Sequence, residues 1–270
     1  METNNRIADN IPFYLVEGEQ VIVNMVSIND DFMNKAVGFS ESEGYETRRM
    51  REIAEIENVS IVINEHKHKQ EDMVAPKGVF KLDEYVNEDK FDMDLFKEHI
   101  EIVAKEINQE APGEGDRLDI GVTNLYAMFD KLNVEYKSED AKNLVEYIGA
   151  SLANMMLYIS ASLAEEHGVY EGYDENYINS KFVSENANPL THELVRRIGL
   201  RNTNLLNVFI EDESSKDVPN TTKIMLAAEL QRHVDGYVYT SVVVKDEEAA
   251  KRLLILAWLE ELKFINIRRV

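Results

Sequence analysis

Residues 237–267 read YVYTSVVVKDEEAAKRLLILAWLEELKFINI, and this stretch decides the fold class. Residues 237–244 are β-branched and aromatic in the manner of a strand. Asp246 stands where an N-cap would, so a helix is predicted from there through Leu262. Residues 264–267 (FINI) form a second strand. Two strands joined by a helix cannot make a hairpin. They are predicted to lie parallel and adjacent in one sheet, as a compact βαβ unit, which makes the class α/β.

Upstream, residues 205–210 (LLNVFI) read as a strand, 211–222 as a loop and 222–233 as a helix. The clearest helix runs from Glu139 to His167. Ser138 caps it, acidic residues fill its first turn, and Gly168 stands just past its end. Its stripe of Ala141, Leu144, Val145, Ile148, Leu152, Met155, Met156, Ile159 and Leu163 is wide enough for a central helix. Residues 119–132 carry Val122, Leu125, Tyr126 and Phe129 at helical spacing. Asp92 is an N-cap for a helix through Ile107, with Leu95, Phe96, Ile100, Val103 and Ile107 on one side. Residues 110–115 and 170–189 are polar, broken by Gly and Pro, and read as irregular connections. The least regular part is 1–75, with strands at 20–28 and 59–63, a short helix from Thr47 and a polar loop at 65–72. The expected division is an irregular segment, 1–75, and an α/β domain, 76–270.

The 270 residues suit one large domain or two modest ones, and a hydrophobic share of 44% supports a substantial core. The 51 acidic residues outweigh 29 basic ones, a formal charge of −22 that repels nucleic-acid phosphates. Residues 48–51 (RRMR) and 268–269 (RR) are too short for a basic patch, so no nucleic-acid partner is expected. No apolar run approaches the ~18–20 residues that span a bilayer, and residues 1–5 lack a signal-peptide pattern. A cytoplasmic protein without a membrane partner is the expectation. There is no cysteine, which excludes disulfides and thiolate metal sites.

Several segments, in order along the chain, carry a family likeness. Residues 118–128 (LDIGVTNLYAM) resemble the ribonucleotide reductase catalytic-subunit segment LGIGVxNfA, with Gly121 kept and the first glycine replaced by Asp119. Residues 161–168 (ASLAEEHG) resemble its helix end aSxeLAkerG. Gly199, Leu200, Arg201, Asn202 and Thr203 match GLRNS/T. Residues 74–86 resemble sCNLgsiNLskyV, and 231–263 resemble the closing region that begins qkfiDqsis. The likeness covers roughly residues 74–270. It implies the second half of the family's two-part α/β barrel, helix-rich, shortened between residues 224 and 230. Alone, such a half leaves strand edges that call for a partner or a covering element.

The resemblance also says what is missing. The radical-bearing motif NLCxE resembles residues 24–28, where Asn24 is retained but Val26 stands for the cysteine and no glutamate follows. A valine has no S–H bond to yield a usable radical. One thiol of the reducing pair falls at Ala75. The relay tyrosines fall at Asn266 and Ile267, and the cysteine-bearing redox tail has no counterpart before Val270. The diphosphate loop PSETSS corresponds to residues 210–215, where Glu211, Asp212 and Glu213 would repel a diphosphate. Ser214 and Ser215 survive. No catalytic residue and no cofactor is therefore expected. Arg201 and Asn202 of the retained motif are expected to tie a turn to neighbouring backbone carbonyls.

Other constellations are thinner. Glu211, Asp212, Glu213 and Asp217 are candidate Mg²⁺ or Ca²⁺ ligands, but their spacing lacks the glycine and closing glutamate of an EF-hand, and a solvated acidic loop explains them. His66 and His68 lack a third ligand nearby. Ser160, Ser162 and His167 read as polar positions on a helix. The favoured expectation is a non-catalytic protein that acts by assembling with other chains, as a homo-oligomer or a hetero-assembly. The alternatives are a split reductase subunit that completes a barrel with another chain, and a metal-dependent enzyme built on residues 211–217. A degenerate copy of this kind would suit a viral genome, and then a virus-infected cell or virion.

Overall fold

The computed structural model describes residues 78–110, 117–210, 213–245 and 247–269, and two strand segments before them. The expected helix from Thr47, the strand at 59–63, the loop at 65–72 with His66 and His68, and the Asp246 cap lie outside the described residues, as does most of the 20–28 strand. The strands are β1 (Phe13–Tyr14), β2 (Val23–Asn24), β3 (Gly78–Lys81), β4 (Val86–Asn87), β5 (Lys90–Phe91), β6 (Ile120–Thr123), β7 (Val208–Phe209), β8 (Val238–Tyr239), β9 (Ser241–Val244) and β10 (Phe264–Arg269). The helices are α1 (Met93–Glu110), α2 (Leu125–Leu132), α3 (Glu139–His167), α4 (Lys181–Asn186), α5 (Pro189–Ile198), α6 (Asn220–Gln231) and α7 (Glu247–Leu259).

The helix α3 has the bounds its sequence predicts. The Ser138 hydroxyl accepts from the Ala141 amide at 3.1 Å, Glu139 and Asp140 occupy the first turn, and Gly168 follows at φ 82°. Ala141, Val145, Ile148, Leu152, Met156, Ile159 and Leu163 are buried, with Leu144 and Met155 packed beside them. Contrary to the expectation that no segment reaches membrane-spanning length, α3 does so by length and composition. Yet 61% of its most apolar window is buried inside the protein, the mark of a core helix. In α1, Asp92 accepts from the Leu95 amide at 3.0 Å, and Phe96, Ile100, Val103 and Ile107 face inward. Leu95 does not join them and is 38% exposed.

Two expectations need correction. Residues 119–132 are not one helix. Ile120 to Thr123 form β6, Asn124 turns the chain at φ 60°, and only then does α2 begin. All four residues of β6 are buried, and a strand covered on both faces has no polar alternation to mark it. Residues 170–189 are not irregular either. A 3-10 turn (Glu175–Asn179) capped by Asp174 leads into α4, capped by Ser180, and Asn188 caps α5 with Pro189 in its first turn.

The parallel strands follow one another in chain order. β3 pairs with β6, Val79 opposite Gly121 and Phe80 opposite Val122. Residues 203–207 run beside β6, with Ile120 donating to Leu205 O and Asn207 to Ile120 O, both at 3.0 Å. β7 then pairs with β8, Val208 opposite Val238, and β9 with β10, Ser241 opposite Asn266. The βαβ unit thus has the predicted parallel pairing, although its first strand is split at Thr240. The expected strand 205–210 narrows to β7, and the last strand extends to Arg269. No closed barrel is found among the described residues. Nor are the outer strands left open over these positions: β1 pairs antiparallel with β3, and β2 antiparallel with β10.

Ile120, Val122, Leu206, Val208, Val242 and Ile265 enter the main core with the helices. Val79, Phe209, Tyr239 and Phe264 are buried outside that cluster, and the Phe209 and Tyr239 rings stack at 4.9 Å. At the end of α6, His233 Nδ1 meets Asn186 Oδ1 at 2.6 Å. Asn186 also donates to Phe182 O, so His233 is the donor in their contact. Nε2 is buried without a partner. Burial pushes the imidazolium below the usual histidine range, against the pull of Glu146 on α3, Glu229 on α6 and Glu185 on α4, with Arg232 adding to the depression.

Ser138→Ala is expected to cost about 1 kcal/mol through loss of the cap, read as a lower urea midpoint with an unchanged slope. A depressed histidine favours the folded state fully above its unfolded value of about 6.5 and loses that contribution as pH falls through the window below it. Unfolding free energy is therefore expected to drop on acidification below about pH 6.5, and His233→Asn to flatten that part of the profile.

Candidate functional site

Of the positions marked by the family likeness, three lie on neighbouring strands. Asn24 of β2 stands opposite Phe264 of β10, and two residues on, Asn266 and Ile267 stand opposite Ser241 and Val242 of β9. Val26, Ala75, Glu211 and Asp212 lie outside the described residues. Residues Glu213–Asp217 form a 3-10 turn in which Ser215 is buried and Asp217 exposed. Among the described residues no group of three His, Asp or Glu side chains is placed to hold a metal ion.

The retained motif closes α5. Gly199 donates to Val195 O at 2.8 Å and sits at φ 88°, where a Cβ would come within 2.7 Å of Val169 Cγ1. Leu200 is buried, and the next two amides reach α3. Arg201 N donates to Ser160 O at 3.1 Å, and Asn202 N to Ser160 Oγ at 3.0 Å. The expected tie from the Arg201 and Asn202 side chains to backbone carbonyls is not what holds the turn: the motif's backbone amides make the contact, and Ser160 receives it. The Asn202 side chain donates to Asn108 Oδ1 at 3.3 Å. Sequence reasoning passed over Ser160 as a polar helical position. Its place on the α3 stripe, four residues after Met156, was the available signal.

Two carboxylates, Asp119 fully buried and Asp235 partly so, stitch the N-terminal ends of the parallel strands. Asp119, which occupies the family's glycine position, keeps a left-handed backbone at φ 48° and is fully buried. Arg117 donates to it through Nε and Nη2, both at 2.8 Å, and Asn207 Nδ2 donates at 2.7 Å. Asn207 Oδ1 in turn accepts from Tyr237 N at 2.9 Å. Asp235 accepts from the amides of Leu205, Leu206 and Gly236 at 2.7, 2.8 and 3.0 Å. Burial pushes its carboxyl up, and these three donors oppose that. Gln231 donates to Val234 O and Gly236 O, and accepts from Val238 N. A side chain at Gly236 would lie 2.4 Å from Leu206 O, so only glycine lets these backbones meet.

At the opposite, C-terminal ends of β3 and β6, Asp83 accepts from Asn124 Nδ2 at 2.8 Å and pairs with Lys131 at 3.0 Å. That is the end where open α/β sheets and barrels place their chemistry. Asp83, Asp119 and Asp235 are each engaged by donors from the chain itself. The arrangement suits holding strands together better than moving protons.

A family model described as ribonucleotide reductase, barrel domain, matches residues 63–209, more than half of the chain. Compared with the likeness read from sequence, it begins earlier and leaves the closing strand–helix–strand unit outside. No curated protein matches the chain.

Removing one partner of a buried ion pair leaves an uncompensated charge. Asp119→Ala is expected to lower stability by about 3 kcal/mol in urea titration, while Arg117→Met with Asp119→Gly recovers a substantial part. Additive losses in that cycle would count against the pair as the central tie.

Proposed function

The chain belongs to the ribonucleotide reductase barrel-domain family, and from that premise we propose that it is a non-catalytic member acting as a structural or regulatory module that assembles with other protein chains. One observation carries the reading: the chain has no cysteine. The family's chemistry begins with a thiyl radical and is paid for by a thiol pair. At the positions the likeness assigns to thiols stand Val26, whose C–H bonds are too strong for the first role, and Ala75, which has no thiol to oxidise in the second. Asn266 and Ile267 offer no phenol to relay a radical.

A module is favoured over a split subunit because β3 and β10 already have antiparallel neighbours within the chain over their paired residues. Assembly is favoured by apolar side chains on the outer helices. Leu190, in the first turn of α5, is 83% exposed, and Tyr147 and Tyr158 on α3 are 54% and 49% exposed. Asn154, between those tyrosines in sequence, accepts from Asn188 N at 2.8 Å, which brings the start of α5 to α3. Two exposed tyrosines and an exposed leucine on adjoining helices are the usual material of a contact surface.

Size-exclusion chromatography with light scattering on the full chain tests the reading. A species heavier than 31.0 kDa, reduced to the monomer by Leu190→Asp with Tyr147→Ser, is expected. A 31.0 kDa monomer that retains no other chain on purification would overturn it. Turnover of a ribonucleoside diphosphate with a thiol reductant would overturn the non-catalytic half.

A further inference from the structure

The outward side of α3 carries a stripe with a two-fold pattern. Tyr147, Ser151, Asn154 and Tyr158 fall within about 60° of one another around the helix axis. The two exposed tyrosines are 11 positions apart, close to three turns. The midpoint of the stripe lies between Leu152 and Ala153. A half-turn about that point, perpendicular to the helix, exchanges Tyr147 with Tyr158 and Ser151 with Asn154. It also exchanges Asp140 with Glu165, which stand on the same stripe near the two ends of α3. The helix α5 flanks only the second half of the stripe. Its start is held where Asn188 N donates to Asn154 Oδ1 at 2.8 Å, and its last turn where Arg197 pairs with Glu165 at 3.5 Å. The first half of α3 carries exposed Glu139, Asp140 and Glu146 instead. The formal charge of −22 sets most of the surface against a second copy. This face differs: its four central residues are uncharged, and α5 carries Arg196 and Arg197 against Glu193.

We propose that this face binds a second copy of the chain, with α3 packed antiparallel against α3 about a two-fold axis at the midpoint. Tyr147 of each copy meets Tyr158 of the other, and Ser151 meets Asn154, as a self-complementary interface requires. The exposed Leu190, two residues after Asn188, stands near the axis in both copies. The same axis brings the end of α5 in one copy level with the acidic start of α3 in the other. Arg197 then stands between Glu165 of its own chain and Asp140 of the second copy, a cation between two carboxylates that would otherwise repel. From Asp140 to Glu165 the contact is about 38 Å long and, with α5, roughly 20 Å wide, the scale of the ~800 Å² per partner that stable dimers bury. A basic partner would be drawn to the acidic surfaces. A partner as acidic as the chain itself needs a face where charges are absent or cancel. This inference rests on the assembly reading and names its partner.

The chain has no cysteine, so introduced thiols report without background. The full chain carrying Tyr147→Cys with Tyr158→Cys is oxidised and compared with the two single variants on non-reducing gels. The double variant is expected to form a disulfide-linked dimer roughly tenfold faster than either single variant, because only unlike positions meet across the axis. Within one chain the two positions lie about 16 Å apart along the helix, too far for a disulfide. Arg197→Glu and Asp140→Arg are each expected to raise the dimer dissociation constant severalfold, and an equimolar mixture of the two to restore it, since each then meets an opposite charge. Assembly only with a different chain, or a heavier species whose double variant crosslinks no faster than the single variants, would overturn this arrangement and leave the assembly reading standing. A 31.0 kDa monomer that retains no other chain would overturn both. No recovery in the mixture would overturn the contact between Arg197 and Asp140.

Discussion

A single partly buried carboxylate, Asp235, ties together the ends of strands that are distant in sequence. It accepts the amides of Leu205 and Leu206, which begin the strand beside β6, and its own backbone leads into β8. Lys263, just before β10, grips the same turn by its carbonyls. Strand ends in a parallel run carry amides that no neighbour satisfies, and burying them unpaired costs roughly 1–3 kcal/mol each. Those of Leu205 and Leu206 are satisfied here by one side chain, which also shares the Gly236 amide with Leu206 O. Asp119 does the equivalent task one strand away, through Arg117 and Asn207.

What is kept is the scaffold: Gly121 in β6, the turn at Gly199 to Asn202, and the turn at Asp235. The positions to which the likeness read from sequence assigns thiols and phenols hold Val26, Ala75, Asn266 and Ile267. Asp119 belongs to neither group. It replaces a glycine yet holds the left-handed backbone that glycine would adopt, at a cost of about 1 kcal/mol, and gains a buried ion pair in exchange.

Much of the helical framework was legible in the sequence. Ser138, Asp92 and Gly168 marked ends that the structure keeps, because capping is a local matter of one side chain and one turn. The parallel pairing of β9 and β10 was legible because a helix between two strands leaves few other solutions. The caps Asp174, Ser180 and Asn188 were equally local, and the polar character of 170–189 concealed them. β6 was misread as helix for a different reason. Its residues are buried on both faces, and a short apolar run without alternation fits either period.

The sequence by itself determined the class of the fold, the absence of thiol chemistry and the identity of the family, since each depends on residue types and their order. Only the tertiary structure decided what the polar residues do. Asp119 and Asn207 are 88 positions apart, and Asn202 lies 42 positions from Ser160. Nothing in local spacing assigns such partners, because a buried carboxylate or hydroxyl takes whichever donors the packing of distant strands and helices brings within reach.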